Sequence, residues 1–527
     1  MWENLPGHLL VISYCGVLAL VAMYGLHRYV LLYLYIKHRR NVPEPRSIYA
    51  ELSLPRVTVQ LPMYNEDVVA ERVIRAACQI DYPLDKLDIQ VLDDSTDHSA
   101  DTARRAVESW AAKGYPVKYV HRTDRTGYKA GALEAGMPSC AGELIAIFDA
   151  DFVPPRDILR NVVNHFTDDR VGMVQVRWDH LNRDASMLTR TQAIFLDGHF
   201  VIEHTARNRS GRFMHFNGTA GVWRRETIAD AGGWQHDTLT EDLDLSYRAQ
   251  LKGWKFVYLP QISAPAELPP EMIAFKQQAH RWTKGSFQTA IKLLPQILLD
   301  KKLSYRVKSE AFFHLTNTLV YPLMVLLTLL MYPTFFNIFS PFSSQTAGHY
   351  VFSASLFVLA TCSAGMFFAF GQRELFGREA GWKTLLYMPL LMALGVGISI
   401  NNSRAVLRAI WSSIRGKPSE FIRTPKYGVT GLDRGRTRRE PRFKWGSVLQ
   451  PIVEVSFGIY MSICVWMSLT LYYYWGGDKT GLASVPFLAI FAGGYLYVGF
   501  SSLWVLYKQH QNVNDDLTQT QAETASV

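Results

Sequence analysis

The sequence predicts an α/β domain in the cytosol, inserted into an α-helical transmembrane bundle. Three observations carry this. Long apolar runs stand near both ends of the 527-residue chain, while residues 41 to about 310 are of mixed polarity. Within 52–262, short β-rich runs alternate with helical patterns. The charge bias is confined to one segment: residues 401–444 hold 12 Lys/Arg against 3 Asp/Glu, which accounts for the whole net charge of +9. Composition agrees, because charged residues make up 19% and aromatics 13%, respectively below and above the usage of a soluble domain. A disordered chain, a collagen-like repeat and a simple coiled coil are excluded. Five scattered cysteines without CxxC or Cys/His spacing argue against a disulfide framework and a structural zinc site. The basic segment suits a membrane surface, a phosphorylated substrate or nucleic acid.

The membrane elements come first in order. A spanning helix needs about 20 mostly apolar residues. Residues 9–36 qualify and end in Lys37-His38-Arg39-Arg40. A signal peptide is basic before its apolar run; this segment is basic after it, so it reads as a retained anchor. Residues 312–336, 350–370, 451–475 and 483–507 qualify too, whereas 385–400 is shorter and contains Pro389, Gly395 and Gly397. Lys/Arg asymmetry places 41–310 in the cytoplasm, and two crossings return the chain there at Arg373. Since 401–444 also belongs on that side, 385–415 is expected to lie in the headgroup region, with Arg404, Arg408, Arg415 and Lys417 at its polar end. The alternative is a crossing that breaks the charge rule. The tail is polar from Gln509 and is expected to be disordered. The expected layout is an N-terminal transmembrane helix (1–40), the α/β domain (52–262), interfacial helices (263–310), two transmembrane helices (311–371), an interfacial helix and loop (384–450), two transmembrane helices (451–507) and a cytoplasmic tail (508–527).

In the soluble domain, strands are expected at 56–61, 88–92, 117–120, 143–148 and 171–176, with helices at 67–79 and 102–112 among those between. This alternation implies a parallel sheet with right-handed crossovers. Ligands bind beyond the carboxyl ends of such strands. Those ends carry Pro62-Met63-Tyr64-Asn65-Glu66, Asp93-Asp94-Ser95-Thr96-Asp97 and Asp149-Ala150-Asp151. No GxGxxG or GxxxxGK[ST] follows a strand, which argues against a dinucleotide site and a P-loop. Asp149 and Asp151 suit Mg²⁺ or Mn²⁺, which take oxygen ligands and leave positions open for phosphate oxygens. A lone DxD is as easily a solvated turn. This one follows five apolar residues, shares its rim with Asp93 and Asp94, and has no basic cluster beside it to replace a cation.

Further on, Thr240-Glu241-Asp242-Leu243-Asp244 opens a helical run, with Thr240 as the expected N-cap. A carboxylate in the first turn is stabilised as the anion, although an ordinary charged first turn looks the same. Gln277-Gln278-Ala279-His280-Arg281-Trp282 lies on an amphipathic stretch before the second crossing. Arg and Trp there serve either a membrane interface or a phosphate and a stacked sugar.

Taken together, QLPMYNE, QVLDDSTD, GYKAGAL, IFDADF, FNGTAGVWR, AGGW, TEDLDLSYRAQLKGWKF and QQAHRW, in order over about residues 56–290, resemble the inverting, membrane-embedded family 2 glycosyltransferases. The nearest resemblance is to cellulose-synthase-like enzymes that build mannan, glucomannan or xyloglucan-type backbones. Phe421-Ile422-Arg423-Thr424-Pro425-Lys426 resembles the FxVTxK gating loop of cellulose synthases, with Arg in place of Val and Pro before the Lys. The resemblance implies a GT-A-type, Rossmann-like domain. It implies that Tyr64, Glu66, Asp93 and Asp94 hold the nucleoside and that Lys129 reaches the nucleotide or its phosphates. Asp149, beside the nucleotide, and Asp151 would hold Mg²⁺ or Mn²⁺, and Asp242 would be the general base. Glu241, Gln278, Arg281 and Trp282 would serve the acceptor and the diphosphate, with Phe421, Thr424 and Lys426 closing over the nucleotide.

The implied activity is inverting transfer of a hexose from a nucleotide sugar to a growing β-linked polysaccharide, coupled to export through the transmembrane bundle. The implied setting is the plasma (inner) membrane with the catalytic domain cytoplasmic and no nucleic acid partner. UDP-glucose and GDP-mannose both fit as donors, with UDP-glucose preferred. The alternative product is a glycolipid made by single addition to ceramide or diacylglycerol. A non-catalytic transporter or scaffold is disfavoured by the intact carboxylates.

Overall fold

A computed structural model describes residues 5–338, 347–416, 421, 423–428, 445–474 and 479–525. Seven strands form one sheet: β1 (Val57–Met63), β2 (Leu87–Asp93), β3 (Val117–His121), β4 (Leu144–Ile147), β5 (Val171–His180), β6 (Gly221–Arg224) and β7 (Lys255–Ala266). Their order is β3-β2-β1-β4-β6-β5-β7. β1 to β4 run parallel where they pair, and β7 is parallel to β5. β6 is antiparallel to both β4 and β5, so the sheet is mixed rather than wholly parallel as expected. Four residues are too few for a hydrophobic period to show, which is why β6 escapes a reading of the sequence. β7 contains Pro260 and Pro265, which read against a strand. It lies at the sheet edge, where proline costs no ladder bond.

The strands of the sheet centre are buried on both faces, as parallel strands between helices require. Helices Ala70–Cys78 and Ser99–Ala111 cover one face through Val73, Ile74, Ala103 and Val107. Helices Tyr128–Gly136 and Glu241–Leu251 cover the other through Leu133, Leu245 and Ala249, around Trp223. Register aligns the carboxyl ends. Met63 is opposite Asp93, Asp93 opposite His121, and Gln60 opposite Ile147. The segments after β1, β2 and β4 therefore open on one rim, as expected.

Among the described residues, five helical runs are long and apolar enough to cross a membrane: His8–His38, Tyr305–Met331, Arg378–Arg415, Leu449–Thr470 and Ser484–Gln511. Helix Leu449–Tyr474 packs along Lys479–Ala525, and the N-terminal helix packs against Val320–Ile338 and Ala347–Phe376. Residues 350–370 lie in Ala347–Phe376, many of whose side chains fall outside the described residues. The segment expected wholly at the interface is divided. Arg378–Gly397 joins the bundle, packed against Ala347–Phe376 and the last helix. Ser399–Arg415 is amphipathic, with Leu407, Trp411 and Ile414 exposed beside Arg404, Arg408 and Arg415. The tail expected to be disordered continues the last helix to Ala525. No Gly or Pro follows Gly499 in that stretch to stop it. Lys417 and residues 429–444 lie outside the described residues.

Candidate active site

The DxD follows β4 directly. The Asp149 backbone N–H donates to Thr219 Oγ1 at 2.9 Å, which fixes the loop against the segment before β6. Lys129, from helix Tyr128–Gly136, donates to Asp149 Oδ1 at 2.5 Å and to the Gly218 carbonyl at 2.8 Å. Burial pulls the Lys129 ammonium toward neutrality, but Asp149, Glu241 and Asp242 outweigh it and hold its pKa above the ordinary value. Asp151 is buried, and its Oδ2 accepts from Lys426 at 2.6 Å. The expectation that no basic cluster stands beside the DxD to take a cation's place is thus corrected. Each carboxylate holds a lysine, one of them brought from 275 positions away. Asp151 Oδ1 is nonetheless buried with no hydrogen-bond partner, which leaves an acceptor for a further ligand.

Glu241 and Asp242 face the same cleft from the first turn of helix Glu241–Leu251. The Thr240 hydroxyl does not cap that helix; it lies 3.3 Å from Thr289 Oγ1, on the neighbouring helix. Two glycines allow the crowding. Gly218 has φ +81°, and a Cβ there would sit 2.9 Å from Asp242 Oδ2. At Gly285, a Cβ would meet Thr240 Cγ2 at 2.6 Å, so helix Met272–Leu299 passes hard against the Thr240–Asp242 turn. Asp242 Oδ1 accepts from the Leu243 backbone N–H at 2.8 Å. Burial, then repulsion from Glu241, pushes the Asp242 carboxyl up to about 7, against Lys129. Burial likewise raises Glu241.

Gln278, Arg281 and Trp282 project from one face of helix Met272–Leu299 into this cleft, as the i, i+3, i+4 spacing dictates. The Trp282 ring lies 6.4 Å from Trp178, which also contacts Phe152 and Phe200, so the cleft has an aromatic wall. Arg281 sits 4.6 Å over the Phe421 ring. Burial lowers its pKa, opposed by Asp149, Glu241, Asp242 and Asp151. Setting Glu267 aside, which pairs with Arg72 at 2.7 Å, the cleft holds carboxylates of Asp149, Asp151, Glu241 and Asp242 against the cations Lys129, Arg281 and Lys426.

Tyr64, Glu66, Asp93 and Asp94 stand on the adjoining rim and do not line that cleft. Asp93 is fully buried and committed internally, to Tyr119 OH at 2.6 Å and the Ser95 N–H at 2.9 Å. Asp94 holds Arg122 through two bonds of 2.8 and 2.5 Å. Arg125 lies 3.4 Å over the Tyr64 ring and 4.9 Å from Tyr128, whose ring is 5.8 Å from Phe421. Glu66 pairs with Arg423 at 2.8 Å; burial pushes its carboxyl up to about 7, against Arg423 and Lys426. The loop at 423–426 is therefore pinned at both ends, with Thr424 buried between. Arg122, Arg125, Tyr128 and Trp178 are not legible in the sequence as site residues, because single Arg and aromatic residues carry no spacing signal. Arg423 was visible only as a departure from a pattern, and the Glu66 pair explains it.

A family model described as "Glycosyltransferase like family 2" matches residues 55–285. Among curated proteins, the chain is 44% identical over 260 residues to the probable glucomannan 4-beta-mannosyltransferase 6 of Oryza sativa subsp. japonica, covering 48% of this chain and 45% of that protein. It is 41% identical over 282 residues to glucomannan 4-beta-mannosyltransferase 1 of the same organism, covering 52% and 53%. It is 32% identical over 441 residues to the probable glucomannan 4-beta-mannosyltransferase 9, covering 80% and 78%. The chain thus spans about half the length of the first of these relatives and over three quarters of the last. Among solved structures it resembles the mannosyltransferase PcManGT from Pyrobaculum calidifontis in complex with GDP-Man and Mn²⁺, with a TM-score of 0.52 and 21% identity over 76% of this chain and 99% of that one. The likeness is one of fold, and the mixed sheet is of the GT-A type expected.

Proposed function

We propose, from the premise that this chain belongs to the family 2 glycosyltransferases and is related to the plant glucomannan 4-β-mannosyltransferases, that it extends a β-linked mannan or glucomannan. The observation that carries the reading is the convergence of Asp149, Asp151, Asp242, Arg281 and Trp282 on one cleft. The relatives' names favour a mannosyl donor, so GDP-mannose replaces the UDP-glucose preferred on sequence.

Each group has a task in a single displacement. Asp242 accepts the proton of the attacking acceptor hydroxyl. A carboxyl raised to about 7 is a far better base than an ordinary aspartate and is ionised just above neutrality. One base and one displacement invert the anomeric carbon, so an α-linked donor yields a β-linkage. Trp282, continued by Trp178, offers an apolar face for the acceptor ring. Arg281 and Lys129 oppose charge on the departing diphosphate. Asp151 Oδ1 is buried without a hydrogen-bond partner in the cleft that Asp149 also lines, which fits a divalent cation held by Asp149 and Asp151. When bound, it would supply charge neutralisation of the diphosphate. Tyr64, with Arg125 stacked on it, and Glu66 lie where a nucleoside would continue the cleft.

We place the catalytic domain on the cytoplasmic side, from the Lys/Arg cluster after the first helix, with export of the product through the bundle. Supporting that route, Lys276 pairs with the fully buried Glu454 at 2.7 Å, beside Asn401 and Ser502, where the catalytic helix meets the transmembrane helices. Ionisable residues among membrane-spanning helices are a default pointer to a polar pathway. The test is incubation of the full chain in lipid nanodiscs with labelled GDP-mannose or UDP-glucose. Nucleoside diphosphate release and product size are measured, with linkage analysis of any polymer. A labelled product that partitions with lipid and never lengthens would replace the polymer reading with the glycolipid one.

A further inference from the structure

A second polar cluster lies beneath the cleft. Helix Met187–Asp197 passes into a π-helical turn, Gly198–His204, before Thr205–Arg209. Such turns re-aim side chains and recur at functional sites. This one directs His199 and His204 toward His215 on the segment before β6. Ring centroids are 4.5 Å apart for His199–His204, 4.9 Å for His204–His215 and 5.5 Å for His199–His215. One nitrogen from each ring can be chosen so that all three lie within 4.8 Å of one another.

The hydrogen bonding is incomplete in a telling way. Asn217 Nδ2 lies 3.2 Å from His199 Nε2 and 3.0 Å from His215 Nε2. His199 Nδ1 meets Glu203 Oε2 at 2.9 Å. His204 is fully buried, and Asn217 acts on it without a well-formed hydrogen bond to either nitrogen; His215 Nδ1 and Asn217 Oδ1 are unpartnered. A buried imidazole without well-formed hydrogen bonds is costly, and a ligand shared by the three rings would satisfy it.

We propose that His199, His204 and His215 bind a divalent transition-metal ion of the zinc class, distinct from the Asp149–Asp151 site. Neutral imidazoles select borderline ions such as Zn²⁺, Co²⁺ or Fe²⁺ over Mg²⁺. Nitrogens about 2.0–2.1 Å from a tetrahedral ion are about 3.3 Å from each other, so small ring rotations would close the cluster. Asn217 is placed to complete it: with its amide turned, Oδ1 replaces Nδ2 at a spacing from both Nε2 atoms that neighbouring ligands have. The Glu203 bond to His199 Nδ1 fixes that ring's tautomer and offsets charge, the arrangement metal-bound histidines usually have. The side chain of His199 is 24% exposed, which gives the ion a way in. The role is positional. Asn217 precedes Gly218, whose carbonyl holds Lys129 and where a Cβ would collide with Asp242, so the ion would clamp the catalytic loop to the helix that packs on the membrane bundle.

The test uses the full chain purified in detergent through a tag without histidines, washed with EDTA, loaded with Zn²⁺ or Co²⁺, desalted and analysed for metal. The expected result is about one tightly held ion per chain, with the intense visible absorption of nitrogen-ligated tetrahedral Co²⁺. His204→Phe keeps the ring contacts with Phe200 and Tyr258 and should cut bound metal at least tenfold. Asp149→Asn should retain it, which separates this ion from the one at the DxD. If His204→Phe fails to fold, His199→Gln at the exposed side of the cluster serves in its place. Failure of the wild-type chain to retain any ion after loading would overturn the proposal, as would unchanged metal content in the folded histidine variants.

Discussion

Replacing Asp242 by Asn should abolish transfer and stabilise the protein, and the two effects share one cause. The Asp242 carboxyl is raised from an ordinary 3.8 to about 7 by burial and by Glu241. The folded state therefore binds a proton more tightly than the unfolded one. Stability from this group is fully present below about pH 4 and is lost as pH rises toward 7. Each pKa unit corresponds to about 1.4 kcal/mol, so three units cost about 4 kcal/mol at pH 8, less the screening where the carboxylate meets the open cleft. Asn carries no charge and escapes the penalty. The assay is thermal unfolding of both proteins in one detergent at pH 5 and pH 8. The Asp242→Asn gain should be about 1.5 kcal/mol at pH 5, already above the unfolded value of 3.8, and approach about 4 kcal/mol at pH 8, so the difference in unfolding temperature should widen by several degrees between the two, since a domain of about 200 residues shifts about 2–4 °C per kcal/mol. Nucleotide binding should persist while transfer drops by about 10²–10⁴-fold or more. In the wild type, kcat/KM should fall about tenfold per unit below pH 7, where the base is protonated. Retained turnover would move the base role, first to Glu241. A pH-independent stability difference would show that Asp242 is not a strained carboxylate at all.

Excess EDTA should stop transfer, and Mn²⁺ or Mg²⁺ should restore it; full activity under chelation would show that Lys129 and Lys426 suffice. Trp282→Ala should weaken the acceptor step more than donor binding, read as a rise in acceptor KM against a steady nucleotide Kd. Gly218→Ala forces a Cβ to 2.9 Å from Asp242 Oδ2 in a left-handed backbone, and should cost about a hundredfold in kcat while the chain still unfolds cooperatively. Arg423→Ala should leave Glu66 without its partner and loosen the loop, read as faster hydrogen exchange at 423–428 without nucleotide.

What the sequence made legible follows from the range of the interactions involved. β1, β2 and β4 are largely apolar runs with an acid at their end or within three residues after it, and the rim they form is local chemistry at strand ends. β6 is four residues long, and its antiparallel entry is decided by what it packs between. Asp149, Asp151, Asp242 and Trp282 were readable because each sits in a short motif of rare composition. Their charge partners were not. Lys426 reaches Asp151 across 275 residues, and Arg122 reaches Asp94 across 28, distances at which no pattern in one sequence survives. The nucleoside role expected of Asp93 meets the plainest difficulty, since both its oxygens are occupied inside the fold. Its place at the end of a buried strand looked identical to that of Asp94.

The lysines on the DxD bear on how a donor would enter. Asp151 is buried, so its charge must be matched in every state that is populated. Without nucleotide, Lys426 does so at 2.6 Å. A dication binding Asp149 and Asp151 competes with Lys129 and Lys426 for the charge of the same two carboxylates, and ammonium groups it repels must find new anions close by. The donor's diphosphate would be such an anion, which predicts that cation and nucleotide bind with mutual reinforcement rather than independently. Isothermal titration of Mn²⁺ with and without GDP would measure it. Lys426→Ala removes the competitor at Asp151, so this variant should bind Mn²⁺ alone more tightly and show a smaller gain from GDP. Lys426 thus has opposite effects on the two titrations, which a lysine serving only as a membrane contact would leave unchanged. Equal Mn²⁺ affinity and equal coupling in the two proteins would break the argument at its first step.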